Sequence, residues 1–139
     1  MEQAVILVDS NVWIDVMSRD PVWLEWSVSQ IKLARLKGGI AINPVIYAEI
    51  AASFDSISAL NEYLRPLKIK NTGFTDDAAF LAGQAFWAYR KRKGAKTGVL
   101  PDFFIGAQAQ AEGWTLLTRD AARYKTCFPE VKLICPTSY

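Results

Sequence analysis

Short runs of consecutive apolar residues alternate along this chain with longer segments in which apolar positions recur every three or four residues. Runs of the first kind are typical of strands buried on both faces of a parallel sheet. The clearest of them ends at Val8, directly before Asp9. The predicted strands are residues 4–8, 40–42, 67–70, 114–118 and 131–134.

Capping residues and prolines mark where the intervening helices begin. Ser10 is expected to cap a short helix, and both Asp20-Pro21 and Asn43-Pro44 combine a capping side chain with a first-turn proline. Gly38 is expected to stop the second of these helices. Further helices are predicted over 56–64, from Thr75 into a basic cluster near residue 90, from Pro101 to Gly113 and over 120–125, with a loop at 94–98.

This alternation of strands and helices predicts an α/β fold, with a central, mainly parallel sheet and helices on both of its faces. The length of 139 residues fits one domain, 1–139, with a core of its own. The pattern does not give the order of the strands in the sheet.

The composition narrows the class of protein. Hydrophobic residues make up 51% of the chain, which excludes a disordered tail. No apolar run is long enough to span a bilayer, and the first residues lack a signal-peptide pattern, so a cytoplasmic protein without membrane contact is expected. Cys127 and Cys135 lack metal-site spacing and are expected to be free, buried or half-buried thiols.

Four acidic residues stand at the boundaries of predicted elements: Asp9, Glu49, Asp102 and Asp120. Ligands of parallel α/β sheets bind beyond the carboxyl ends of the strands, so the topology would gather these side chains. Two like charges about 4 Å apart repel by roughly 4 kcal/mol at an effective dielectric of 20. Either some of these acids are protonated or a divalent cation offsets that repulsion, and donors that are all oxygen favour Mg²⁺ or Mn²⁺ over zinc.

The chain contains no histidine, which excludes ribonuclease mechanisms built on paired histidines and histidine-dependent nucleophile triads. A bound Mg²⁺ or Mn²⁺ could instead activate water and stabilise charge on a phosphoryl oxygen. No glycine-rich phosphate loop is present, so hydrolysis of nucleoside triphosphates is not expected. Hydrolysis of phosphodiester bonds is the chemistry that fits best.

Four fragments carry a resemblance to a known family. They are residues 8–15 (Val-Asp-Ser-Asn-Val-Trp-Ile-Asp), 47–50 (Tyr-Ala-Glu-Ile), 100–107 (Leu-Pro-Asp-Phe-Phe-Ile-Gly-Ala) and 116–120 (Leu-Leu-Thr-Arg-Asp). In this order and spacing the chain resembles the PIN-domain nucleases, and in particular VapC-type toxins of bacterial and archaeal toxin–antitoxin pairs. The resemblance covers nearly the whole chain.

The resemblance implies a three-layer α/β/α sandwich, metal-dependent cleavage of single-stranded or loop RNA, a homodimer, and inhibition by a small antitoxin protein. It assigns metal binding to the same four acids and places the hydroxyl of Thr118 in the site. Asn11 matches a position that is often polar. No acid of the motif is missing, so nothing in the sequence indicates an inactive enzyme.

Basic residues cluster between Arg90 and Lys96. We expect Arg90, Arg92, Lys93 and Lys96 to contact the RNA backbone. The same cluster also fits a solvated helix end, where cations complement the helix dipole.

Other interpretations of the same residues stay open at this stage. Asp9, Asp102 and Asp120 could each serve as a helix cap or first-turn acid. Glu49 could be a surface residue of an amphipathic helix, and Thr118 could simply end its strand. Asp15 is expected to be structural, paired with an arginine, and lies outside the predicted site. At the level of function, the alternatives are a PIN-like module that binds RNA or protein without cutting, a PIN nuclease that is not a toxin, and a phosphotransfer domain.

Overall fold

The structure, a computed structural model, describes residues 4–93 and 100–137. Its strands are β1 (Ala4–Val8), β2 (Gly38–Ile42), β3 (Lys70–Asn71), β4 (Thr115–Leu117) and β5 (Leu133–Ile134). Its helices are α1 (Ser10–Met17), α2 (Leu24–Lys37), α3 (Pro44–Ala51), α4 (Ile57–Leu64), α5 (Asp76–Lys93), α6 (Leu100–Glu112) and α7 (Ala122–Cys127), with a 3-10 turn at Arg65–Leu67. The predicted loop at 94–98 lies outside the described residues.

The strands form a five-stranded parallel sheet in the order β3-β2-β1-β4-β5. After β1, the chain adds β2 and then β3 on one side of it. The chain then crosses the sheet and adds β4 and β5 on the other side of β1. Crossovers between parallel strands are nearly always right-handed, so this reversal places the helices after β1 and β2 on one face and those after β3 and β4 on the other. The predicted parallel sheet flanked by helices is confirmed.

Several predicted helix starts are confirmed, and each has a capping side chain. The Asn43 carboxamide oxygen accepts a hydrogen bond from the Ile46 amide at 2.8 Å, and Pro44 occupies the first turn of α3. The hydroxyl of Ser56 accepts from Ala59 at 3.0 Å at the start of α4. The hydroxyl of Thr75 accepts from the Ala78 amide at 3.1 Å, at the start of α5. These bonds satisfy amides that the first helical turn leaves without partners.

The prediction that Ser10 caps α1 is wrong. Asp9 is the capping residue, with an extended backbone and a carboxylate oxygen 2.7 Å from the Ser10 amide. Ser10 is the first helical residue, and its hydroxyl bonds to Glu49 instead.

Other boundaries are displaced by a few residues. Asp20 accepts from the amides of Val22 and Trp23, which makes a turn, so α2 begins only at Leu24. The third strand begins at Lys70 because the 3-10 turn and a left-handed backbone at Lys68 precede it. The helix predicted to begin at residue 120 begins at Ala122.

The core on one face of the sheet is built around the aromatic ring of Phe103. Its centroid lies 5.6 Å from that of Phe86, 5.4 Å from that of Tyr89 and 5.8 Å from that of Phe128. Gly106 lies one turn along α6, and a Cβ there would be 2.4 Å from a ring carbon of Phe128. The close approach of α6 to this ring therefore requires glycine at position 106.

A buried amide network fixes α6 relative to the ends of β2 and β3. Gln108, on α6, accepts a hydrogen bond from the Asn43 carboxamide at 2.9 Å and donates to the carbonyls of Thr72 and Gly73, each at 3.1 Å. Asn43 caps α3, so one network orients both helices. These are the helices that carry Asp102 and Glu49.

A smaller expectation, about the two cysteines, is also met. Cys127 and Cys135 are free and half-buried. Within residues 4–93 and 100–137, no helix combines the length and apolar character needed to cross a membrane.

Candidate active site

The carboxyl ends of β1 and β4 define the centre of the candidate site. These strands are neighbours, with Val8 paired to Leu117, and the Asp9 amide donates to the Leu117 carbonyl at 2.9 Å. The connections from β1 and from β4 lead in opposite directions across the sheet. A crevice opens at such a reversal, and it is the usual ligand site of parallel α/β folds. Asp9 and Thr118, each the first residue after its strand, lie beside it.

Asp9 is a buried carboxylate, with 4% of its surface exposed. One oxygen accepts from the Ser10 amide, and the other accepts from the hydroxyls of Thr118 at 2.9 Å and Tyr124 at 3.0 Å. Burial raises the pKa of Asp9 from 3.8 to about 6; these three hydrogen bonds oppose the rise and the nearby charge of Asp102 adds to it. Asp9 is therefore ionised at neutral pH, at a cost that a cation would offset.

Three of the four predicted acids line one cavity of about 170 Å³. Asp9 comes from the end of β1, Asp102 from the first turn of α6, and Asp120 from the β4–α7 connection. The full lining is Asp9, Ser10, Asn11, Asp102, Asp120, Arg123 and Tyr124.

Glu49 is connected to this group of acids through Ser10. It does not line the cavity, but its carboxylate accepts from the Ser10 hydroxyl at 2.8 Å, and that hydroxyl lies 3.4 Å from a carboxylate oxygen of Asp9. Burial raises the pKa of Glu49, the Ser10 hydrogen bond opposes this, and the charge of Asp102 adds to it. The Glu49 carboxylate is thus close enough to Asp102 for the charge of Asp102 to affect its pKa.

Asp102 is paired with an arginine inside the cavity. The Arg123 guanidinium donates to its carboxylate. Burial raises the pKa of Asp102, while the charge and the hydrogen bond of Arg123 oppose that rise. The ion pair places a positive charge beside the acids.

The hydroxyl of Thr118 has a fixed orientation. Its oxygen accepts from the Asn11 carboxamide and from the Asp120 amide, both at 3.2 Å. These two donors occupy the two lone pairs, and of the two acceptors left for the hydroxyl proton, the Asp9 carboxylate at 2.9 Å is nearer than the Asp120 carbonyl at 3.4 Å. Thr118 therefore holds the Asp9 carboxylate and the β4–α7 connection together.

Asp15 has the structural role expected for it. Its carboxylate, 2% exposed, accepts two hydrogen bonds from the Arg119 guanidinium, at 2.8 and 2.9 Å, and one from the Ser27 hydroxyl at 2.9 Å. The Arg119 amide donates to Asn11 at 3.2 Å. This pair ties α1 and α2 to the connection that carries Asp120.

The basic cluster is described only in part. The Arg90 guanidinium stacks on the rings of Phe86 and Trp87, at 5.8 and 5.5 Å from their centroids. Arg92 is exposed on the last turn of α5. The side chain of Lys93 and the whole of Lys96 lie outside the described residues.

Comparison with known proteins identifies the fold family. A family model described as "PIN domain" matches residues 6–129. The chain belongs to the PIN domain family. This confirms the family predicted from the four sequence fragments. No curated protein matches the sequence of this PIN domain.

Solved structures with the same fold include several toxin–antitoxin complexes. VapBC2 from Rickettsia felis, bound to a promoter DNA fragment, matches with a TM-score of 0.70 and 21% identity, over 96% of this chain and 99% of that one. FitAcB from Neisseria gonorrhoeae matches at 0.66 and 23%, over 93% and 96%. A toxin–antitoxin complex from Klebsiella pneumoniae matches at 0.66 and 20%, over 96% and 99%.

The donors of this PIN domain fit a hard divalent cation by their chemistry. The cavity offers carboxylate, carboxamide and hydroxyl oxygens, which Mg²⁺ and Mn²⁺ prefer. In the part of the chain that the structure describes, however, no three acidic or cysteine side chains converge closely enough to hold an ion. Asp102 is engaged by Arg123 and Glu49 by Ser10, so some of these side chains would have to turn toward an ion.

Sequence reasoning missed two residues of this site, Arg123 and Tyr124. Both lie on α7, a few residues after Asp120 in the chain. Arg123 contacts Asp102, and Tyr124 contacts Asp9. Burial raises the pKa of the Tyr124 phenol well above its ordinary value, and the charge of Asp9 adds to this, so Tyr124 remains a hydrogen-bond donor at neutral pH. The sequence signal was their place on a short helix directly after an acid already assigned to the site.

Proposed function

We propose that this PIN domain is a Mg²⁺- or Mn²⁺-dependent endoribonuclease that hydrolyses phosphodiester bonds. The observation that carries the proposal is Asp9, a buried carboxylate at the reversal point of the sheet that shares one cavity with Asp102 and Asp120. Arg123 is one positive charge against three carboxylates in this cavity, so a further cation would offset the remaining cost of their charge, and the fold family supports a nuclease assignment.

Each side chain of the site has a role in this proposal. Asp9, Asp102 and Asp120 would hold the cation, and Glu49, which contacts Ser10, would complete or orient the set. Thr118 donates a hydrogen bond to one oxygen of Asp9 and so fixes the orientation of that carboxylate toward the cation. The bound cation would supply an activated water and stabilise negative charge on the phosphoryl oxygens.

The proposed biological role is that of a toxin in a toxin–antitoxin pair. It is supported by the resemblance of the sequence to VapC-type toxins and by the similarity in fold to VapBC2 and to the Klebsiella pneumoniae structure, which is described as a toxin–antitoxin complex. Under this proposal the chain, as a single domain over 1–139, forms a homodimer in the cytoplasm and binds a small antitoxin protein. A neighbouring gene for a small DNA-binding protein would separate a toxin from a nuclease with another role.

The proposed RNA-binding residues are Arg90, Arg92, Lys93 and Lys96. The stacking of Arg90 on Phe86 and Trp87 supports a rigid, positively charged face on α5. Exchange of exposed Arg92 for Gln should weaken RNA binding and make it less dependent on salt, because one phosphate contact would be lost.

The test is RNA cleavage by purified protein with Mg²⁺, with Mn²⁺ and with a chelator. Asp9→Asn should abolish metal-dependent cleavage, whereas Asp55→Asn, which changes an exposed acid outside the cavity, should cleave like the wild type. Both variants should show the circular dichroism of the wild type. Equal cleavage by wild type and Asp9→Asn would refute the proposal.

The second candidate is a PIN module that binds RNA or protein without cutting. The ion pair between Arg123 and Asp102 favours this second candidate, because the pair engages one of the acids that catalysis would need. Titration calorimetry with Mn²⁺ distinguishes the two: heat of binding that disappears in Asp9→Asn supports the nuclease, and absence of binding supports the module.

A further inference from the structure

Arg123 stands between two neighbouring cavities. It lines the acidic cavity of about 170 Å³ and also a second cavity of about 210 Å³, whose other lining residues are Tyr89, Ala122, Thr126 and Cys127. Its guanidinium donates to Asp102 on one side and lies 5.7 Å from the ring centroid of Tyr89 on the other. The side chain is 29% exposed, which leaves it room to move.

The acidic cavity has one basic side chain within the described residues that line it, and that side chain is Arg123. Arg119, although close in sequence, is committed to Asp15 through two hydrogen bonds. Arg123 therefore supplies the positive charge that a divalent cation would otherwise supply at Asp102. Arg123 contacts one oxygen of the Asp102 carboxylate, and a dication bound at this carboxylate would repel the adjacent guanidinium, so metal binding weakens the ion pair.

We propose that Arg123 exchanges its partner when a metal ion binds, leaving Asp102 and turning toward the substrate phosphate, which makes it a catalytic residue. The inference rests on the proposed function, since it takes Asp102 as a metal ligand. A guanidinium suits this role because its planar fork bonds two oxygens of a phosphate at once and stays charged at every relevant pH. In the metal-free protein, the same group limits the repulsion among the acids.

The first test measures the affinity for Mn²⁺ by titration calorimetry. Arg123→Gln should bind Mn²⁺ about fivefold more tightly than the wild type, because no partly exposed ion pair has to be broken first. Lys125→Gln is the matched control, since it removes an exposed charge from the same helix outside the cavity, and its affinity should be that of the wild type. Unchanged or weaker binding by Arg123→Gln would overturn the exchange.

The second test measures the coupling between Arg123 and Asp102 by urea unfolding of the wild type, Arg123→Gln, Asp102→Asn and the double variant. In metal-free protein, Arg123→Gln should lower the free energy of unfolding. This loss should disappear when Asp102 is already replaced by Asn. Saturating Mn²⁺ should also abolish the difference in stability between the wild type and Arg123→Gln, both of which contain Asp102. A loss that persists in Mn²⁺ would mean that arginine and metal share the carboxylate, contrary to the inference.

The third test measures the binding of a fluorescent single-stranded RNA oligonucleotide, with Ca²⁺ as a cation that the same oxygen donors accept. Arg123→Gln should weaken binding about tenfold with Ca²⁺ and much less without it. An effect independent of Ca²⁺ would contradict the turn toward phosphate. A wild type that binds neither Mn²⁺ nor Ca²⁺ would refute the proposed function itself, which separates that failure from failure of the exchange alone.

Discussion

At the scale of single residues, the site is organised by hydrogen-bond donors aimed at Asp9. Thr118 and Tyr124 both direct hydroxyl protons at one of its oxygens, and the Ser10 amide is directed at the other. Ionisation of Asp9 is thus supported by three donors and still opposed overall by burial. The charge of this residue therefore depends on pH near pH 6.

The stability of the metal-free protein should therefore depend on pH through Asp9. A pKa raised from 3.8 to about 6 means that the folded state binds the proton more tightly, so the associated stability is complete below pH 3.8 and lost as the pH rises through about 6. The free energy of unfolding of Asp9→Asn minus that of the wild type should increase by up to about 3 kcal/mol between pH 4 and pH 8. Urea unfolding across this range measures it, and a constant difference would contradict the assignment.

A second prediction concerns the buried pair of Asp15 and Arg119. Arg119→Met leaves the carboxylate of Asp15 buried with only Ser27 as a partner, and should cost about 3 kcal/mol of stability. The control is Arg65→Met, which breaks an exposed pair with Glu62 whose side chains are 70% and 60% exposed. That change should cost less than about 1 kcal/mol. Similar losses in the two variants, measured by urea unfolding, would show that burial of Asp15 is not the cause.

The sequence predicted that four acids would meet, and three of them line one cavity, but it did not predict which group would pair with them. Asp9 and Asp120 were found because strand ends and turns can be located from apolar runs. Arg123 was missed because its partner, Asp102, lies 21 residues away on another helix. Such pairing depends on how α6 packs against α7, which local sequence does not encode.

At the scale of the elements, we expect opposite effects from alanine at the two glycines that lie in the described helices. A Cβ at Gly106 would lie 2.4 Å from the ring of Phe128, whereas a Cβ at Gly83 would meet nothing within 4 Å. Gly106→Ala should destabilise the protein by about 1–3 kcal/mol through overpacking. Gly83→Ala should stabilise it by about 0.5–1 kcal/mol, because alanine restricts the unfolded chain. Melting temperatures that shift in the same direction would refute the packing argument.

The elements with the strongest local signals were predicted best. Asn43 with Pro44, Ser56 and Thr75 gave the correct starts of α3, α4 and α5, because each side chain bonds an amide within its own first turn. The start of α2 was placed too early, since Asp20 forms a turn with the same bonds that a cap would make. A capping side chain alone does not distinguish these outcomes.

At the scale of the whole molecule, the strand order converts distant sequence positions into one site. The pairing of β1 with β4 brings Asp9 next to Thr118, which are 109 residues apart in the chain. The alternation of strands and helices predicts the parallel sheet, yet several strand orders satisfy it equally well. The order is decided by packing across the entire chain. For this reason the sequence pattern could suggest that the acids meet, but only the three-dimensional packing determines that they do.

The same convergence predicts how the folded molecule should respond to metal. Under the proposed function, Mn²⁺ at about 100 times its dissociation constant should stabilise the wild type by about 2.7 kcal/mol, because only the folded chain gathers the acids. A pKa of about 6 for Asp9 means that protons compete with the ion, so the dissociation constant should be about fourfold higher at pH 5.5 than at pH 7.5. Thermal unfolding with increasing Mn²⁺ at the two pH values measures both effects. Stabilisation that is equal at both would show that the ion binds somewhere other than at Asp9.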